Sequence, residues 1–239
     1  MECIKKFFKH FFSDSFRARY RAPYIMFFKN TKVKHFSSVA EHSEIYGPLL
    51  ADPRFLHIDD YVRIQPFNRI ISSSGRVIIK KFSAIGLGCT FIPGTHIPTV
   101  GLPQFMSRAH INDVSKDIVI EEDVWVGANS TFLSKAHVGR GAVVGANSLV
   151  TSKISPYSVV AGSPARIMAT RFTLEEIILH EETLYPVEER LSREFLENLF
   201  ETEYKGLRSI GTSEISKEDK ERLSVLKKDI NVIDYAECK

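Results

Sequence analysis

An apolar residue recurs at every sixth position from Ile120 onward: Ile120, Val126, Phe132, Val138, Val144 and Val150. A step of six matches neither the helical period nor the alternation of an ordinary hairpin sheet. It fits a chain that makes a short strand, turns through about a third of a circle and repeats, sending one aliphatic side chain inward each time, so that three hexads close one triangular coil. A sandwich of short strands would not need a sustained step of six. Small residues fall four places after the anchors, at Ser130, Ala136, Ala142 and Ser148, where such a coil turns its corners.

The same spacing extends upstream through Val33, Val39 and Ile45, then Ile58, Ile64 and Ile70, then Ile79, Ile85 and Phe91. Coils stacked by backbone hydrogen bonds lie about 4.8 Å apart, so residues eighteen positions apart should stack: Val126 on Val144, and Phe132 on Val150. Gly86, Gly88, Gly127, Gly139, Gly141 and Gly145 are expected to relax corners that need positive φ. The frame breaks at 46–57, 71–78 and 97–117, each time after the third hexad of a group. These insertions should therefore emerge at one corner, a natural place for a substrate site.

The fold expected is mainly β, a left-handed parallel β-helix of about five triangular coils over residues 33–171. An N-terminal helical cap and a C-terminal helical extension flank it. Residues 1–32 form the first of these: "IKKFFKHFF" puts Ile4, Phe7, Phe8, Phe11 and Phe12 on one helical face. Packing against the first coil is one use for that face, and peripheral contact of residues 1–21 with an anionic membrane is another. After Arg171 the period becomes helical over 172–239, with Thr173 as N-cap, Glu176 closing a capping box and Pro186 dividing two helices.

Composition narrows the chemistry. Lys and Arg total 32 against 29 acids, a net charge of +3, too small to indicate nucleic acid. Cys3, Cys89 and Cys238 are far apart and lack ligand spacing, as expected of free thiols in a reducing compartment. No apolar run approaches the roughly 18–20 residues of a membrane span. A cytoplasmic protein is expected, at the inner face of the membrane if residues 1–21 bind there. No histidine pair has metal-ligand spacing with a third partner in view, so no metal is expected.

The segment from Ile118 to Arg171 closely resembles the hexapeptide-repeat acetyltransferases, which act on galactosides, maltose, xenobiotics and surface polysaccharides. The resemblance rests on "DVWVGA" at Asp123–Ala128, "GAVVGANSLVTSKI" at Gly141–Ile154 and "SVVAGSPARI" at Ser158–Ile167. It implies acetyl transfer from acetyl-CoA without a covalent enzyme intermediate, and a homotrimer with its active sites between subunits. It also implies a histidine base at the start of the loop before the "VWVG" coil. "IPGTHIPTVG" puts His96 there, with His110 as competitor; Thr95 still fits the repeat frame, which favours His96 as the more rigidly held.

Carried over position by position, the resemblance puts Trp125 near the pantetheine arm and thioester, and Ala128 and Ala146 where small side chains admit the cofactor arm. Thr151 matches a family contact. Lys153 stands one place beyond the usual lysine, and Arg166 and Arg171 are expected near the CoA phosphates. The acceptor implied is a sugar hydroxyl of a surface polysaccharide or its precursor. The alternative is an amino sugar or a drug-like molecule on the same fold.

Overall fold

The computed structural model describes residues 25–28, 39–40, 42–51, 55–71 and 75–230. The chain winds through three parallel ladders, and the arrangement fits a β-helix. On the first face Glu44–Ile45, Arg63–Ile64, Ala84–Ile85, Trp125–Val126, Val143–Val144 and Ser158–Ala161 stack in order. The second carries Gly47–Leu50, Asn68–Ile70, Thr90–Ile92, Thr131–Leu133 and Leu149–Val150. The third carries Leu56–Ile58, Val77–Ile79, Ile118–Ile120, His137–Val138 and Lys153–Ile154.

The step of six is the step from face to face. Val126 pairs with Val144 and Phe132 with Val150, so each anchor sits over its counterpart eighteen residues on. Ile79, Ile85, Phe91, Ile120, Val126, Phe132, Val138, Val144 and Val150 are all buried in one core. Phe91 and Phe132 stack within it, ring centroids 4.8 Å apart. Aliphatic ladders of this kind bury each side chain against the coil above and the coil below, about 1.5–3 kcal/mol apiece relative to exposure.

The small corner residues have a polar task as well as a steric one. Ser130 Oγ donates to the carbonyls of Gly127 and Gly145, 3.0 Å each, and Ser148 Oγ donates to Gly145 at 2.7 Å. They satisfy turn carbonyls that the short strands leave open inside the coil.

The glycines depart from expectation. Positive φ falls at Gly88 and Gly141, and also at Asp123, Asn129 and Asn147, residue types that tolerate the left-handed region. Gly127 has no such φ. A Cβ there would lie 2.5 Å from the backbone nitrogen of Ala146, so it is close stacking of coils that demands glycine.

The insertions also need correction. Residues 46–57 are not a loop: Gly47–Leu50 is a strand of the second face, and Leu56 opens one on the third. Val77 likewise begins a strand inside the expected 71–78 break. The longer connections are 51–55, 71–76 and 93–117, and each joins a second-face strand to a third-face strand. The strands that flank all three meet the same edge, between the second and third faces.

Within the segment expected to be helical, Ile25–Phe28 is a strand, antiparallel to Gly47–Leu50. Val33 and residues 1–21 lie outside the described residues, as does the membrane contact expected of them. No helix among the described residues is long and apolar enough to cross a membrane.

The far end of the coil is covered by the chain beyond the last repeat. Ser158–Ala161 is joined by an antiparallel strand, Arg166–Thr170, and then by helices Leu174–Leu184 and Arg193–Thr202; a further helix, Lys217–Ile230, follows, exposed over residues 217–224. Thr173 caps the first helix in a full capping box with Glu176, and that helix stops before Pro186. Tyr157, Ile177 and Leu196 form a second small core under the helices. Beside it Arg140 donates to Glu181 (2.9 Å) and Glu122 (3.2 Å), and Tyr157 OH donates to Glu181 (2.6 Å).

Candidate active site

The long connection from Ile92 to Ile118 is an arm with a built base. Gly94–Thr95 pairs antiparallel with Val114–Ser115, Gly94 opposite Ser115 and Thr95 opposite Val114. Below this ladder the N–H of Lys116 donates to the Pro93 carbonyl at 3.0 Å. Arg76 grips Asp117 through its backbone N–H (2.9 Å), Nε (3.1 Å) and Nη2 (2.6 Å). Thr95 therefore belongs to the arm, not to the repeat frame of the coil as its spacing suggested. His96 owes its position to the arm's own ladder.

Beyond the ladder the chain runs out to the short 3-10 helix Gln104–Ala109 and returns through His110, which ends that helix at φ 56°. Asn112 is also left-handed, at φ 57°. Two non-glycine residues so close together in this sparsely allowed region fold the returning strand back toward His96.

Asp113 is the hub. The His96 Nδ1 lies 2.8 Å from Asp113 Oδ1, and the His110 Nδ1 lies 2.7 Å from Asp113 Oδ2. The two imidazole centroids are 5.6 Å apart. Hydrogen bonds from His110, and then from His96, hold the Asp113 carboxyl below its ordinary range, so it is ionised near neutrality and can only accept. Each histidine must then place a proton on Nδ1, which leaves the Nε2 lone pair of the neutral ring available. A carboxylate placed in this way fixes the tautomer of each ring.

His96 opens onto a small pocket with Ile97, Leu102, Pro103, Met106 and Ile111 in its wall, all contributed by the arm. Apolar side chains thus stand beside the imidazole of His96. The trio His96, His110 and Asp113 also brings three ligating atoms within 4.8 Å of one another. The expectation that no histidine pair finds a third partner is therefore corrected by the fold of the arm, which brings His96 to the His110–Asp113 pair.

The other expected residues lie elsewhere on the coil. Trp125 is on the first face, 59% exposed, between Ala84 and Val143 in register. Ala128 and Ala146 stack at the corner between first and second faces, where the Asn147 N–H donates to the Ala128 carbonyl at 2.9 Å. Thr151 and the exposed Lys153 lie at the corner between second and third faces, the edge from which the arm also departs. Arg166 is exposed on the added strand of the first face. The second face separates the two edges, so one chain alone does not gather these residues around His96.

Arg171 departs from the expected phosphate contact. Its Nη1 donates to Asp123 Oδ2 (2.7 Å), to the Asp123 carbonyl (2.9 Å) and to the Gly141 carbonyl (3.1 Å), with the guanidinium over Phe172. His180 Nε2 joins the same carboxylate at 2.9 Å. These groups clamp the helical extension onto the coil. Among the remaining histidines, His42, His57 and His137 each pair with a neighbouring carboxylate, Asp60, Asp59 and Glu121.

Sequence reasoning missed Asp113 and His180. For Asp113 a signal existed: it stands three residues after His110, within one turn's reach. Nothing in the local sequence marked His180, whose partner lies 57 residues away.

Comparison with known proteins accords with the repeat. Residues 117–152 match the family described as bacterial transferase hexapeptide (six repeats). A chloramphenicol acetyltransferase of Klebsiella aerogenes is 34% identical over 117 residues, 44% of this chain and 56% of that protein. A probable macrolide acetyltransferase of Lysinibacillus sphaericus is 29% identical over 149 residues, 62% of this chain and 75% of that protein. A solved hexapeptide-repeat-containing acetyltransferase from Vibrio cholerae is 27% identical, with a TM-score of 0.47, over 54% of this chain and 70% of that one. The chain thus spans little more than half the length of the chloramphenicol acetyltransferases it matches. The chain carries the hexapeptide repeat over residues 117–152 and is similar, over part of its length, to acetyltransferases.

Proposed function

We propose that this protein transfers an acetyl group from acetyl-CoA to an acceptor hydroxyl, with His96 as general base. The observation that carries this reading is the His96–Asp113 pair, because it fixes Nδ1 as donor and frees Nε2 beside the arm's pocket. In the reaction Nε2 takes the hydroxyl proton as the acceptor oxygen attacks the thioester carbonyl. The tetrahedral intermediate then expels the CoA thiolate, which recovers the proton from the imidazolium, leaving an acetyl ester and CoA thiol. General-base assistance of this kind contributes about 10²–10⁴-fold.

Trp125, Ala128, Ala146, Thr151, Lys153 and Arg166 are the residues proposed to hold the cofactor; Arg171 is left out because its donors are engaged within the chain. Two edges of the coil separated by the second face cannot enclose one thioester unaided. A left-handed coil assembled as a closed ring of three copies would bring the arm edge of one subunit to the first-face side of the next. Each site would then be shared.

The acceptor proposed first is a sugar hydroxyl of a surface polysaccharide or its precursor. A specific observation favours a second reading, a drug-like acceptor. Ile97, Leu102, Met106 and Ile111 wall the pocket, and the relatives include chloramphenicol and macrolide acetyltransferases. CoA thiol release should be followed with sugars, amino sugars, chloramphenicol and a macrolide as acceptors, comparing wild type with His96→Ala. Acceptor-dependent release that falls about 10²-fold or more in the variant is expected. Full activity in His96→Ala would remove the assigned base, and release with amines alone would replace the hydroxyl acceptor by an amine.

A further inference from the structure

The arm brings together two imidazoles and one carboxylate, and no other group of three or more such residues among the described residues meets the same geometry. Two nitrogen ligands and one carboxylate oxygen, with a fourth position open to solvent, are the donor set of an open zinc site. We propose that His96, His110 and Asp113 bind a borderline divalent ion such as Zn²⁺, and that the metal competes with acetyl transfer for the His96 imidazole. The site itself stands independently of the assigned activity; the competition rests on His96 being the base.

Geometry makes the site accessible to an ion. At metal–ligand distances of about 2.0–2.2 Å, tetrahedral ligand atoms lie roughly 3.4 Å apart. The Nδ1 to Oδ separations of 2.8 and 2.7 Å are already inside that spacing, and all three ligating atoms lie within 4.8 Å of one another. The remaining adjustment falls on the more exposed side chains. The His96 and His110 side chains are 43% and 35% exposed, whereas Asp113, at 16%, is the fixed member.

The competition follows from the tautomer. A metal accepted by Nδ1 takes that lone pair, so the ring proton must sit on Nε2. Each imidazole keeps one proton, moved through solvent from Nδ1 to Nε2, and the carboxylate exchanges two N–H donors for the metal. His96 Nε2 then carries a proton and has no lone pair to offer an acceptor hydroxyl. Occupancy therefore switches the proposed base off without unfolding anything. Mg²⁺ and Ca²⁺, which prefer all-oxygen shells, should not replace Zn²⁺ here.

The test is made on the full chain freed of metal by chelation. Titration with Zn²⁺ by calorimetry, and with Co²⁺ by visible absorption, should report one site per chain. His110→Ala and Asp113→Asn should each weaken it at least about tenfold. Acetyl transfer should be inhibited by Zn²⁺ and restored by a chelator, with inhibition in His110→Ala moved to at least about tenfold higher Zn²⁺ relative to that variant's own activity.

Absence of Zn²⁺ binding, or binding unchanged in both variants, would overturn the proposal. So would a cobalt spectrum dominated by thiolate charge transfer, which would put the ion on cysteine. If the site behaves as described but His96→Ala still transfers acetyl, the competition and the assigned base fall together while the metal site stands.

Discussion

Asp113 faces His96 across the arm at the position its two-residue ladder would reach next: Gly94 pairs with Ser115, Thr95 with Val114, and His96 meets Asp113 through a 2.8 Å hydrogen bond. The orientation of the ring is thus set by strand register, with Arg76 and Asp117 pinning the base of the same ladder. A base held by backbone pairing keeps its tautomer and its direction together.

Asp113→Asn is expected to cost activity without dissolving the arm. An amide offers one carbonyl oxygen and one NH₂, so it cannot accept from both Nδ1–H groups, and one imidazole must change tautomer. We expect kcat to fall about 10²-fold, with KM for acetyl-CoA changed by no more than about a factor of two. Steady-state CoA release measures both. A variant as fast as wild type would mean that the carboxylate does not orient the base.

The acid dependence of the arm follows from the same carboxyl. Hydrogen bonds from His110 and His96 lower its pKa from 3.8, so its contribution is fully present above that value and is lost as pH falls through the depressed folded value. Asp117 is lowered as well, by its hydrogen bonds to Arg76. The protection factors of the residue 97–112 amides, with the intrinsic pH dependence of exchange divided out, should therefore stay flat from neutral pH down to about 4 and fall only below it. Protection already lost on acidification to about pH 5 would assign the arm's order to groups other than these two carboxylates.

Much of the coil was legible because its cause is local. Val126, Phe132 and Val144 are buried at intervals of six since each face needs one inward side chain, and the sequence displays that interval directly. The strand Gly47–Leu50 escaped because Leu49 is the buried anchor and stands only four residues after Ile45. The site was half legible. His96 was expected from a motif, whereas Asp113 is 17 residues away and meets it only after an antiparallel pairing too short to leave an alternating pattern. Arg171 was misplaced for a related reason, since its partner Asp123 is 48 residues distant and nothing in "PARIMATR" distinguishes a clamp from a phosphate contact.

Gly127→Ala and Gly101→Ala separate close stacking from backbone freedom. At Gly127 the new Cβ would lie 2.5 Å from Ala146 N and 2.8 Å from Gly145 C, backbone atoms that cannot yield without separating two coils. At Gly101 φ is +81° but nothing lies within 4 Å. Gly127→Ala should cost about 3 kcal/mol or more, and Gly101→Ala about 1 kcal/mol, in denaturant unfolding. Equal losses would show that contact between coils is not what excludes a side chain at Gly127.

Glu181 ties the helical extension to the end of the coil, and its replacement tests how firmly the two are joined. Its carboxylate is buried, 1% exposed, and accepts from Arg140 Nη1 (2.9 Å), Tyr157 OH (2.6 Å) and the Leu191 N–H (3.0 Å). Glu181→Ala would leave all three donors without that acceptor and the Arg140 guanidinium, whose side chain is 13% exposed, with only Glu122 to balance it. Removing one member of a buried ion pair costs about 3–5 kcal/mol, chiefly because the remaining charge stays desolvated. Thermal unfolding should show that loss, and limited proteolysis should cut first near helix Leu174–Leu184, before the core built on Phe91 and Phe132 opens. A Glu181→Ala protein that unfolds with wild-type stability would mean that Arg140 finds water or Glu122 sufficient, and that the core of Tyr157, Ile177 and Leu196 together with the Arg171 and His180 contacts to Asp123 hold the extension in place.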